Sequence, residues 1–150
     1  MRLPSILLTN LRSINNKFDD FSAHVYSLHP DVLICTETWL SSNIPDEALC
    51  VSGYRCHRTD RLDDRGHGGV AIWTKNCFRS IKLSFPTYEM IEVCIVHLPI
   101  EQLIVVGLYL PPGINCSLFH NFCESFIKSL DEILIDLNQC KLIVAGDFNR

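Results

Sequence analysis

The sequence predicts an α/β fold built on a mixed sheet with helices on one face. Short apolar runs of strand length end in polar side chains. Two stretches carry apolar residues at spacings of three and four. The elements follow the order β-α-β, an antiparallel meander, then α-β, which belongs to the α/β or α+β class.

Ile6 to Leu8 is a short strand ending at Thr9-Asn10, followed by a polar loop from Arg12 to Lys17. Phe18, Phe21, Val25 and Leu28 recur at helical spacing, and Pro30-Asp31 stops that helix. The run from Asp31 to Glu37 is continuously apolar until Thr36-Glu37, the pattern of a strand buried on both faces. Residues 41–53, with Ser41, Ser42, Pro45 and Gly53, read as a long connection. Strands follow at Tyr54 to Thr59, Gly69 to Thr74, Arg79 to Ser84, Glu89 to His97 (an alternating one) and Leu103 to Tyr109. Leu98 to Glu101 makes a hairpin-length turn between the last two. A long apolar stripe from Leu118 to Leu137 predicts a second helix, with N-cap candidates at Asn115 to Ser117. The last strand, 141 to 146, ends at Gly146 and delivers Asp147 and Asn149 in one alternation phase.

Hydrophobic residues make up 47 % of the chain and charged ones 20 %, which supports a packed core and excludes a disordered chain. The net charge of −4 exerts no overall pull toward nucleic acid. It is unevenly spread. Arg55 to Lys82 holds seven Lys or Arg (Arg55, Arg58, Arg61, Arg65, Lys75, Arg79, Lys82) against three Asp (Asp60, Asp63, Asp64). A solvated face is the plainer reading of that stretch; a phosphate-backbone contact surface is the sharper one. The eight cysteines show no Cys-x-x-Cys, and Cys35 and Cys94 sit inside apolar strands, where a free thiol behaves as a small hydrophobe. With no secretory signal and no run near about 18 apolar residues, the chain is expected to be intracellular, nuclear or cytoplasmic, and away from membranes.

Four strand ends carry chemistry: Asn10, Glu37, Tyr109, and Asp147 with Asn149. Brought to one rim, two carboxylates and two amides make a hard, oxygen-rich set suited to Mg²⁺ or Mn²⁺. Such a metal polarises a phosphoryl oxygen, and a nearby tyrosine donates to phosphate. Each residue alone also fits an ordinary turn or cap. Cys116, His120 and Cys123 share helical spacing, but a fourth soft ligand is not apparent and zinc is not expected. Arg65-Gly-His-Gly-Gly69 precedes a strand rather than a helix, so it reads as a close-approach turn, not a phosphate cradle. No P-loop or Gly-x-Ser-x-Gly elbow occurs, and no small-molecule cofactor is expected.

Five motifs resemble, in order, the endonuclease/exonuclease/phosphatase family, most closely the apurinic-type endonuclease domain of non-LTR (LINE-like) retrotransposons. They are Thr9 to Lys17, Asp31 to Trp39, Asp60-Arg61 through Gly68 to Ile72, Gly107 to Pro112, and Gly146-Asp-Phe-Asn149. The resemblance implies part of a four-layer α/β sandwich, with 1–150 a partial domain of that family, and Mg²⁺- or Mn²⁺-dependent hydrolysis of a DNA phosphodiester. It implies that Glu37 binds the metal beside Asn10, that Tyr109 contacts phosphate, that Asp147 orients or activates water, and that Asn149 contacts the phosphate or transition state. Arg58, Arg61 and Arg65 are the nominated nucleic-acid contacts. The family's Ser-Asp-His motif has no counterpart before Arg150. Impaired activity is therefore expected, together with a mostly missing second sheet and an exposed apolar face on the first. A phosphatase of the same fold and a non-catalytic retrotransposon remnant are the alternatives.

Overall fold

Strand β1 (Ile6–Asn10), helix α1 (Phe18–Leu28) and strand β2 (Val32–Thr36) form a β-α-β unit in the computed structural model, which describes residues 3–62 and 66–149. Parallel neighbours need a crossover, and α1 supplies it: β1 and β2 run parallel with Ile6 opposite Val32 and Asn10 opposite Thr36. The helix ends where the sequence predicts. His29 takes a left-handed conformation, its N–H bonds Val25 O at 2.9 Å, and Pro30 follows. Phe21 and Val25 are buried, with the Phe21 ring 4.9 Å from that of Trp73. Strand β4 (Val70–Lys75) lies antiparallel beside β2, and β3 (Tyr54–Thr59) lies outside it, giving the order β1-β2-β4-β3. The connection before β3 contains a single 3₁₀ turn, Asp46–Leu49.

The second half builds another sheet. Strands β5 (Ile81–Lys82), β6 (Glu92–Leu98), β7 (Leu103–Leu110) and β8 (Lys141–Phe148) take the order β5-β6-β7-β8. The β6–β7 hairpin closes with Leu98 opposite Leu103. Helix α2 (Cys116–Asp136) is the crossover between the parallel strands β7 and β8, and Asn115 Oδ1 caps it by accepting from Leu118 N at 2.7 Å.

The mixed sheet with helices on one face, expected from the periodicity, is therefore corrected. The chain forms two mixed sheets packed face to face, each covered on its outer face by one helix, a four-layer α/β sandwich. A continuously apolar strand looks the same in sequence whether a helix or another sheet covers it. The core between the sheets unites Val32, Ile34, Val70 and Ile72 with Cys94, Val96, Val105 and Tyr109. Gly107 lets the sheets close: a Cβ there would stand 2.7 Å from Val70 Cγ1 and 3.1 Å from Ile34 Cγ2. The expected absence of most of the second sheet and exposure of the first sheet's inner face are corrected too. Exposed apolar side chains line the edge strand β8 instead, at Leu142, Val144 and Phe148.

Two boundaries also differ. Strand β5 spans two residues rather than 79–84. Strand β8 runs through Gly146 to Phe148. That glycine is a close-approach position rather than a stop, since a Cβ on it would lie 1.8 Å from Leu108 O. Among the described residues no helix is long and apolar enough to cross a membrane.

Candidate active site

The two parallel pairs end on the same side of the sandwich. On the first sheet Asn10 closes β1 opposite Thr36, and Glu37 follows β2. On the second, Tyr109 and Asp147 stand opposite each other on β7 and β8. Strand β8 packs across β1 and β2, so the four positions meet.

Asn10 ties them together. Its Nδ2 donates to Glu37 Oε1 at 2.9 Å and to Asp147 Oδ2 at 2.7 Å, and its Oδ1 accepts from Arg12 N at 3.1 Å. Both amide protons and one oxygen lone pair are spent, which fixes the orientation of the side chain. The two carboxylates are no further apart than two hydrogen bonds laid end to end. Among the described residues neither has a lysine or arginine partner.

Glu37 sits in left-handed backbone, φ +51°, as does Trp39 at +56°. Such conformations persist when surrounding contacts enforce them. Here Ser13 N bonds Glu37 O at 2.9 Å, Ile14 N bonds Thr38 O at 3.1 Å, and Trp39 N bonds Gly68 O at 2.9 Å. Gly69, at φ +86°, would carry a Cβ only 2.5 Å from Thr38 Oγ1. The glycine-rich segment thus presses against the turn that presents Glu37. The exposed His67 ring, 4.5 Å from that of Trp39, lies on the same segment.

Tyr109 is buried in the core between the sheets. Burial, reinforced by the negative field of Glu37 and of Asp147 and opposed by Arg61, pushes its phenol up to about 12. At neutral pH it is a protonated hydrogen-bond donor beside two carboxylates. Asn149 is tied back by its Nδ2, which donates to Leu110 O at 3.2 Å.

The nominated arginines are placed differently. Arg58 is held by Asp46 (3.1 Å), Asp60 (3.6 Å) and the carbonyl of Ile44 (2.7 Å). Arg61 pairs with Glu92 at 2.6 Å. Both are engaged inside the protein rather than projecting from a free basic face. Arg65 lies outside the described residues.

The sequence model of the endonuclease/exonuclease/phosphatase family matches residues 7–150, nearly the whole chain. The chain belongs to this family. Among curated proteins none matches its sequence. Solved structures share the fold. The 3′ phosphatase NExo from Neisseria, bound to a product DNA hairpin, matches with a TM-score of 0.66 and 20 % identity over 98 % of this chain and 58 % of its own. The human Nocturnin catalytic domain with bound sulfate gives a TM-score of 0.69 and 14 % identity over 100 % and 66 %. An AP endonuclease from Archaeoglobus fulgidus gives 0.67 and 17 % over 97 % and 57 %. The chain thus spans less than two thirds of the length of these structures.

The donor set of this family member fits a hard divalent cation. Glu37 and Asp147 offer carboxylate oxygens, and Asn10 Oδ1 keeps a second lone pair beside its bond to Arg12 N. Hard cations such as Mg²⁺ take few protein oxygens and several waters. Two carboxylates gathered on one neutral amide also leave negative charge that a cation would offset.

Sequence reasoning missed Glu92. It is buried at 4 % exposure on β6, opposite Tyr109. The signal lay in the register, since an acid that the hairpin pairing carries into the core needs a cationic partner. Counting back from the Leu98–Leu103 turn puts it beside Tyr109.

Proposed function

We propose that this chain forms the carboxylate–tyrosine side of a metal-dependent phosphodiester hydrolase that nicks DNA, of the kind non-LTR retrotransposons carry. The observation behind this reading is the Asn10 amide joining Glu37 and Asp147 across the two sheets, with Tyr109 in register beside Asp147. Glu37, with Asn10, would hold Mg²⁺ or Mn²⁺, which would supply electrostatic stabilisation of charge developing on phosphate oxygens. Asp147 accepts a proton from the attacking water as its oxygen bonds phosphorus and the P–O bond to the leaving strand breaks. The Tyr109 phenol donates to a phosphate oxygen, and Asn149, one amide proton of which is spent on Leu110 O, offers the other to the phosphate. DNA as substrate is supported by a fold relative described with a DNA hairpin and another described as an AP endonuclease. The retrotransposon assignment rests on the five sequence motifs.

The internal engagement of Arg58 and Arg61 favours a second reading, hydrolysis of a small phosphoester. Supercoiled plasmid with Mg²⁺ or Mn²⁺ separates the two. Nicking that disappears in Glu37→Ala and Asp147→Ala supports the nuclease. Turnover of a small phosphomonoester without nicking supports the second reading. Absence of divalent-metal binding, followed by water-proton relaxation with Mn²⁺, overturns both.

A further inference from the structure

The most deeply buried ion pair described in the molecule lies next to Tyr109. Arg61, from the loop after β3, reaches the other sheet and grips Glu92 at two points, Nε to Oε1 at 2.6 Å and Nη2 to Oε2 at 3.3 Å. Nη2 also donates to Met90 O at 2.9 Å. Both side chains are more than nine-tenths buried. The same guanidinium lies over the Tyr109 ring, with Cζ 5.7 Å from the ring centre. Glu92 and Tyr109 are direct cross-strand partners on β6 and β7. Gly68 packs against the guanidinium: a Cβ there would stand 2.7 Å from Arg61 Nε.

Such a pair is a poor stabiliser. Desolvating two charges offsets most of their attraction, and apolar residues of similar volume do as well or better. Its geometry indicates another use. The phenol oxygen of tyrosine lies on the Cβ–Cγ axis, so turning the ring leaves that oxygen in place. Swinging the side chain about Cα–Cβ moves it by ångströms. A planar guanidinium over the ring of a tyrosine buried in the core between the sheets restricts that swing.

We propose that the Arg61–Glu92 pair is a positioning clamp for Tyr109, fixing where its phenol O–H points at the mouth of the site. Glu92 anchors the guanidinium, the guanidinium holds the ring, and Gly68 admits both. Because Gly68 O also accepts from Trp39 N, the segment that covers the clamp braces the turn presenting Glu37. The catalytic consequence rests on Tyr109 acting as a phosphate donor; the clamp itself does not.

Two readouts test it. Ring-¹³C tyrosine NMR, with Tyr109 assigned by its loss in Tyr109→Phe, needs no activity. In Arg61→Lys, which keeps the charge but loses the fork and flat face, the Tyr109 signal is expected to shift and broaden while those of Tyr26, Tyr54 and Tyr88 stay put. Should Arg61→Lys not fold, the double variant Arg61→Gln with Glu92→Gln, which removes both charges of the pair together, takes its place. An unmoved Tyr109 signal in a folded variant overturns the proposal. In plasmid nicking, Arg61→Lys is expected to lower kcat about tenfold with KM unchanged. It is expected to have no effect in a Tyr109→Phe background. Equal losses in both backgrounds would mark the pair as merely structural and overturn the clamp. If the wild-type chain cleaves no phosphodiester, the hydrolase reading falls, and the NMR result still decides the clamp.

Discussion

Asn10 Nδ2 donates to Asp147 Oδ2 at 2.7 Å, joining residues 137 positions apart on different sheets. With its second proton on Glu37, this amide is what stands between two carboxylates at the site's mouth. Asn10→Ala removes both donors and leaves the acids facing each other. Unfolding stability is expected to fall by about 1 kcal/mol, below the usual range for bonds to charged groups because Asn10 is exposed. Denaturant titration measures it. Mn²⁺ affinity is expected to drop in the same variant, and unchanged affinity would remove Asn10 from the metal-binding set.

Gly107 controls how closely the sheets approach. A methyl group at this position meets Val70 Cγ1 at 2.7 Å and Ile34 Cγ2 at 3.1 Å. Gly107→Ala is expected to cost about 1–3 kcal/mol through overpacking. Val70→Ala makes room, so the double variant is expected to be more stable than the sum of the two single losses implies. Strict additivity in melting experiments would contradict the geometry.

Much of this arrangement is legible in the sequence, and the unreadable parts share one cause. Helices α1 and α2, the β6–β7 hairpin and the buried runs of β2 and β7 are local patterns, set by spacing and turn residues. So are the polar strand ends Asn10, Glu37, Tyr109 and Asp147. Division into two sheets is not local, because Ile34 and Ile72 read as buried whatever covers them. Nor is the meeting of Arg61 with Glu92, an arginine from a loop on one sheet and an acid on the other. In sequence Arg61 is part of a basic stretch that suggests DNA, and Glu92 is one side of an alternating strand. Only the packing of the sheets turns them into each other's partners.

Gly146 is the tightest glycine in the chain. A Cβ would fall 1.8 Å from Leu108 O and 2.7 Å from its carbonyl carbon, both backbone atoms that no rotamer change can move. Gly146→Ala is therefore expected to part β8 from β7 locally, costing more than about 3 kcal/mol and displacing Asp147 from Asn10. Hydrogen exchange would show faster amides along β8, with β2 and β4 unaffected. A neutral result would mean that the β7–β8 register differs from Leu108 opposite Gly146.

Acid sensitivity is expected to centre on Asp31, at the end of the sandwich where β1 and β2 begin. Partial burial works to raise its pKa, but bonds from Lys75 Nζ (2.8 Å) and from Ser5 N and Oγ (2.9 and 3.0 Å) outweigh this. They bring the carboxyl down to about 2 from an ordinary 3.8. A depressed folded-state pKa stabilises above the unfolded value and loses that contribution as pH falls through the folded one. The group contributes fully above roughly pH 5 and progressively less down to about pH 2. Because water screens it, the contribution is about 1 kcal/mol rather than the full shift. Asp31→Asn is expected to remove it. The stability difference between wild type and variant, followed by denaturant titration, should be constant above about pH 5 and shrink as the pH approaches 2. A difference that does not change with pH would mean that Asp31 acts through its shape and hydrogen bonds rather than its charge.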